Sequence, residues 1–250
     1  MTLDLTFFAL GIPAALVAGI SKGGFGSGAA FLGGMLLLLI LPPATALGIM
    51  LPLLILVDLA SLKPYWGKWD ANDAKRLILA GIPGIIAGAA LWSVANTNFL
   101  RALIGSVAIA FVVWQIALSR GWVRLGKAGL PAASAWPLGA AAGFTSFIAH
   151  AGGPWTAVYL LSRRPEKTVY QATTVIVFGV QNIVKLGPYI WLGLVTAEAL
   201  WAALWLAPFA LLGTWIGVRL HAAIPQRAFF LVTYALLLLT GVKLISDALA

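Results

Sequence analysis

Sixteen residues carry the chemistry this sequence offers, and they fall in two glycine-rich stretches and two apolar segments. The first stretch reads GISKGGFGSGAAF over residues 19–31 and holds Ser21, Lys22, Gly23, Gly24, Gly26, Ser27 and Gly28. The second reads GFTSFIAHAGGPW over residues 143–155 and holds Thr145, Ser146, His150, Gly152 and Gly153. Asp58 lies in one apolar segment, and Gln181, Asn182 and Lys185 lie in another. A lysine, free backbone N–H groups and hydroxyls placed together bind anions. A carboxylate and a histidine beside them can take up and release a proton. The expected substrate-binding set is therefore Ser21, Lys22, Gly23, Gly24, Gly26, Ser27, Gly28, Thr145, Ser146, His150, Gly152 and Gly153. Asp58, Gln181, Asn182 and Lys185 form the expected coupling or polar relay.

Each residue also has a plainer reading. Lys22 can snorkel to an interface, and Asp58 can pair with Lys22 or sit near Lys63. His150 can simply bond to backbone. Gln181 and Lys185 are four apart and share a helical face. Gln115 and Gln171 read as interhelical hydrogen-bonding residues. Tyr65, Trp66, Trp69, Tyr189 and Trp191 read mostly as interface anchors.

The elements that must position these residues follow from composition. Of the 250 residues, 62% are hydrophobic and 9% charged. A soluble domain has about a quarter of its residues charged. The chain is thus read as an all-α integral membrane protein. Its net charge of +9 is read as a topology signal, and no nucleic-acid partner is expected. There is no cysteine, which excludes thiol chemistry.

Apolar segments lie at about 3–19, 29–41, 44–62, 76–95, 99–119, 131–149, 153–162, 168–187, 196–219 and 227–248. A crossing helix needs about 20 residues. About eight segments are expected to cross fully. The short pieces 29–41 and 153–162 are expected as half-helices entering from a Gly-rich break. Pro154 suits the first turn of such a helix, and Ser27 suits its cap. No signal peptide is expected.

An offset of 124 aligns Gly19 with Gly143, Gly28 with Gly152, Asp58 with Asn182, Pro64 with Pro188, and Tyr65 with Tyr189. At 125, Pro83 and Gly88 meet Pro208 and Gly213. The sequence therefore divides into a first membrane repeat at 1–119, a cytoplasmic linker at 120–130 and a second repeat at 131–250. Twelve of the 16 basic residues fall in four connections, and the alternate connections carry none. Placing the basic connections inside makes the repeats inverted, with both termini periplasmic. The pairs Gly84–Gly88 and Gly213–Gly217 are assigned to helix packing.

Neither stretch is a nucleotide loop. The P-loop lysine-serine pair is missing, and Phe31 stands where a dinucleotide loop has its third glycine. His150 and His221 belong to no metal motif, and no nucleophile–base pair is evident. No enzyme activity and no cofactor are expected.

The sequence resembles the TauE/SafE family of membrane permeases, also called the sulfite exporter family. The resemblance rests on AGISKGGFGSGAAF, LPPATALGIMLPLLILVDLASL, KPYWGKWD and AAGFTSFIAHAGGPW, and covers nearly the whole chain. It implies transport of small sulfur-containing anions, such as sulfite or organosulfonates, across a bacterial inner membrane. It carries over to Gly23, Gly24, Gly26, Gly28, Gly152 and Gly153. The expected function is a secondary transporter working by alternating access, with protons as a candidate coupling ion and a homo-oligomer as a candidate assembly. An anion channel, or a membrane enzyme or assembly subunit, are the alternatives.

Overall fold

A computed structural model describes residues 3–25, 30–122, 129–221 and 226–249. Among them the chain is helical, with no strand. Ten α-helices follow in order: α1 (Leu5–Ile20), α2 (Phe31–Leu38), α3 (Pro43–Tyr65), α4 (Ala71–Val94), α5 (Thr97–Ser119), α6 (Ala135–Ala149), α7 (Gly153–Ser162), α8 (Lys167–Trp191), α9 (Ala197–Leu220) and α10 (Gln226–Leu249). A π-helical turn, Ser21–Phe25, continues α1, and a 3-10 turn, Ala132–Ser134, precedes α6.

Polar caps set the helix starts. Asp4 accepts from the Phe7 N–H at 2.8 Å, Asp70 from Asp73 at 2.8 Å, and Thr196 from Ala199 at 3.1 Å. Each satisfies one of the amides that a first turn leaves unpaired. Pro43 occupies the first turn of α3, and α7 likewise carries its proline, Pro154, in its first turn.

Among the described residues, five helical stretches are long and apolar enough to cross a bilayer: Leu5–Phe25, Pro43–Tyr65, Ala71–Val94, Thr97–Ala117 and Ala197–Leu220. This is a multi-pass membrane protein. α8 has 25 residues, but its lysines, glutamines, asparagine and threonines make it less apolar. α6 has only 15 residues. The helices α2 and α7 are short. At 1.5 Å per residue, α2 is about 12 Å long and α7 about 15 Å, against a hydrocarbon core of about 30 Å.

The two glycine-rich stretches take different forms. The first, expected to break somewhere in residues 19–31, keeps helical form as far as Phe25 in a widened π turn. The reason is close packing. A side-chain carbon at Gly23 or Gly24 would strike the backbone of Thr214 or Gly217 in α9. The second stretch ends α6 at Ala149, before α7 starts at Gly153. α6 closes with the His150 amide donating to Ser146 O at 3.0 Å and the Ala151 amide to Thr145 O at 3.1 Å. This pattern places a left-handed residue at the helix end, usually glycine. Here it is His150, with φ at 55°.

Helix pairing is reciprocal between the two halves of the chain. α1 packs on α9, and α4 on α6; α3 packs on α8, and α5 on α10. α2 rests on α1, α3 and α10, while α7 rests on α6 and α8. Glycines let the backbones touch at the α1/α9 and α4/α6 crossings. Gly213 and Gly217 lie against Leu16 and Ile20; Gly84 and Gly88 lie against Ala140, Phe144 and Phe147. This is how small residues pack membrane helices, where lipid supplies no hydrophobic drive between them.

Candidate functional site

The polar residues converge where α3, α8, the π turn and the end of α6 meet. Lys22 is 4% exposed and Asp58 is 2% exposed. The Lys22 ammonium donates to Asp58 Oδ1 at 2.5 Å and Oδ2 at 2.6 Å. Asn182 Nδ2 also donates to Oδ2, at 2.6 Å. A buried carboxylate is stable only when its oxygens are matched in this way. Lys22 therefore neither snorkels nor stands alone. Its charge is matched by Asp58, and its Nζ lies over the Phe178 ring, 5.8 Å from the centroid.

A second cluster lies beside the first, one turn along α8, where Lys185 follows Asn182 by three residues. Lys185 is fully buried. Its ammonium reaches Ser146 O at 3.1 Å, Ser146 Oγ at 3.0 Å and His150 Nδ1 at 3.1 Å. Among the described residues it pairs with no carboxylate. The other imidazole nitrogen, Nε2, lies 3.3 Å from Leu47 O. With Lys185 as an ammonium, which has three hydrogens and no acceptor, His150 Nδ1 accepts and Nε2 carries the ring proton. The His150 ring also lies 5.9 Å from that of Tyr189.

The remaining expected residues are placed as follows. Ser21, Gly23 and Gly24 are buried in the π turn. Thr145 Oγ1 donates within the helix end, to Ala141 O at 2.8 Å and Ala151 O at 3.1 Å. Gly152 precedes α7, and Gly153 is its first residue. Gln181 donates to Leu77 O of α4 at 3.2 Å, so it does not join Lys185 despite sharing its face. Gly26, Ser27 and Gly28 lie outside the described residues.

Several participants escaped the sequence reading. Tyr65 and Tyr189 were expected as interface anchors, yet both are buried. The Tyr65 hydroxyl donates to Gly23 O at 2.7 Å, and the Tyr189 hydroxyl to Phe147 O at 2.6 Å. Both bonds span 42 residues, and the two donors are 124 apart, as are the two acceptors. The tyrosine pair in the offset alignment was the available signal. Trp66 and Trp191, by contrast, are 68% and 77% exposed, as anchors are. Gln171 donates to Lys22 O at 2.5 Å, and its other amide atom, Oε1, is buried without a partner, as is Ser61 Oγ. His221 Nδ1 lies 2.6 Å from Gly24 O.

Two polar recesses sit away from this centre. One, of about 480 Å³, is lined by Asp70, Asp73, Arg163, Glu166 and Thr173 among others. There Asp73 gathers the Tyr159 hydroxyl at 2.7 Å, Arg163 at 2.8 Å and Arg76 at 3.1 Å, tying α4 to α7. The second, of about 700 Å³, is lined by Asp4, Thr6, Thr45, Thr196 and Glu198 among others. The recesses use comparable elements of the two halves: the start of α4 with the α7–α8 connection, and the start of α9 with the α2–α3 connection.

What the arrangement can do is hold an anion. It contains two buried lysines, one buried carboxylate and a buried histidine. No curated protein and no solved structure matches the chain. The family model described as "Sulfite exporter TauE/SafE" matches residues 11–244. The chain, with its apolar spanning helices and this buried cationic centre, belongs to the TauE/SafE family of membrane permeases.

Proposed function

We propose that the protein is a secondary transporter that carries a small sulfur-containing anion, sulfite or an organosulfonate, across a bacterial inner membrane by alternating access. The observation that carries this reading is Lys185, a fully buried cation whose three partners are neutral. A buried charge without a counter-charge is costly. An anion delivered to this point would supply the missing charge. Family membership supplies the sulfur chemistry.

The transport cycle rests on two inverted repeats, 1–119 and 131–250, joined by the linker 120–130, with eight crossing helices and both termini periplasmic. The reciprocal helix pairing and the twin tyrosine bonds support the duplication. The charge difference between the connection at 42–43 and its counterpart at 163–167 supports the inversion. Under this topology the recess at Asp73 opens inward and the recess at Glu198 opens outward. The buried centre lies between them and is exposed to each in turn. Because Lys22, Asp58, Ser146 and Lys185 are packed shut, a carrier suits the site better than an open channel.

The experiment is a thermal-shift screen of purified protein against sulfite, sulfate, thiosulfate, sulfoacetate and taurine. At least one sulfur anion should raise the melting temperature, because a ligand that binds only the folded state stabilises it. No shift with any of them, together with no uptake of any into proteoliposomes, would remove the reading.

A further inference from the structure

Building on the reading above, we propose that Lys185 and His150 form a charge-reading pair: the site takes a monoanionic sulfur oxyanion on Lys185 alone, and a dianion only together with one proton on His150. The inference rests on the hydrogen-bond inventory of the pair. Lys185 has three donors and three neutral acceptors, one of which is His150 Nδ1. A protonated imidazole has no acceptor to offer. Lys185 as ammonium and His150 as imidazolium therefore exclude one another while the two remain in contact. In that state the pair holds one positive charge.

The surrounding charges are few and already matched. Lys22 from the π turn and Asp58 from α3 cancel one another at 2.5 Å, and Asn182 beside them is neutral. Facing His150 are the Leu47 carbonyl of α3, the Tyr189 ring of α8 and Lys185 itself. Lys22 and Asp58 act on Lys185 at longer range as an opposed pair. The buried centre thus carries a net charge of one, and a monoanion cancels it.

The same geometry shows where a second charge is balanced. An oxyanion that accepts from Lys185 displaces His150 Nδ1 from the ammonium. The freed nitrogen can then take a proton, with Nε2–H still directed at Leu47 O. Bringing a dianion into this centre without that proton would leave a buried, unmatched negative charge, which is prohibitive. Sulfite exists near neutral pH as both mono- and dianion, so this device decides which form is carried and how many protons accompany it.

The test uses purified full-length protein and two probes of fixed charge, methanesulfonate and sulfate. Binding is followed calorimetrically between about pH 6 and about pH 8, in two buffers of different ionisation heat, so that proton uptake is read directly. Methanesulfonate should bind with nearly constant affinity and no proton uptake. Sulfate should bind with uptake of about one proton and gain up to about tenfold in affinity per pH unit lowered, as linkage to one proton requires. His150→Gln should abolish the sulfate proton uptake, and whatever methanesulfonate affinity it retains should be the same at about pH 6 and about pH 8. Lys185→Gln should lose both ligands while keeping a cooperative melt. Equal affinity for the two probes at about pH 8 without proton uptake would overturn the charge rule. So would wild-type methanesulfonate binding in Lys185→Gln, or transport of sulfite by a protein that binds neither probe. The wild-type comparison stands even where a variant does not fold. Absence of both binding and transport for every sulfur anion would instead remove the transporter reading itself.

Discussion

Asn182 donates a 2.6 Å hydrogen bond to Asp58, and the two residues are 124 positions apart, the same offset that aligns one half of the chain with the other. Two residues that this offset aligns thus touch each other. The same position holds a carboxylate in one half and its neutral amide analogue in the other. The cluster consequently has one negative charge to match Lys22, not two.

Breaking this pair from one side should be far more damaging than removing both charges. Lys22→Met or Asp58→Leu leaves a buried charge unmatched and should cost about 3–5 kcal/mol. The double variant should recover most of that loss, because both charges leave together. Thermal or denaturant unfolding in detergent checks it. A double variant as unstable as the sum of the singles would contradict the ion-pair account.

The twin tyrosines should behave alike. Tyr65→Phe and Tyr189→Phe each leave a buried carbonyl, of Gly23 or Phe147, without its donor. Each should cost about 1–3 kcal/mol. The two losses should be additive, since the bonds share no partner. Unfolding free energies of the singles and the double provide the check.

Glycine positions should sort by what surrounds them. Gly143→Val drives a side chain into the Gly81 backbone, and Gly217→Val into that of Ile20. Neither backbone can yield without moving a helix, so both variants should accumulate poorly and melt several degrees lower. Gly187→Ala, with open space around it, should melt close to wild type. Expression level and melting temperature measure this.

Asp73 is expected to hold closed the recess that it lines. Asp73→Asn weakens its contacts to Arg163, Arg76 and Tyr159, which tie α4 to α7. The native chain has no cysteine, so Thr173→Cys gives a clean reporter in the recess wall. Its labelling by a water-soluble maleimide should be several-fold faster with Asp73→Asn present. An unchanged labelling rate would argue against a latch at this point.

Much of the helical layout was legible in the sequence because apolar runs end at prolines, charges and capping residues. The short run expected at 153–162 is α7, Gly153–Ser162. Pro154 sits in its first turn as its missing N–H requires. The packing glycines were legible too, since only close backbone contact explains small residues repeated at four-residue spacing. The centre was legible in composition but not in connection. Lys22 with Asp58 was one of several pairings the sequence allowed, and choosing it requires knowing how α1 lies against α3. Gln171 meets Lys22 across 149 residues, and Tyr159 meets Asp73 across 86. Such bonds depend on helix rotation, which periodicity in a uniformly apolar segment does not encode. The form of the first glycine stretch up to Phe25 was hidden for a related reason. Glycine signals equally a chain break and a tight crossing, and here α9 makes Gly23 and Gly24 a crossing.

The most direct measurement is uptake of radiolabelled sulfite by proteoliposomes holding wild-type protein or Lys185→Gln, with an imposed pH or anion gradient. Saturable, gradient-driven uptake by wild type, reduced at least tenfold in a folded Lys185→Gln protein, is the predicted result. Uptake that is unchanged in Lys185→Gln would contradict the assignment of Lys185 as the anion's counter-charge, and no uptake by wild type under any gradient would contradict the transporter reading as a whole.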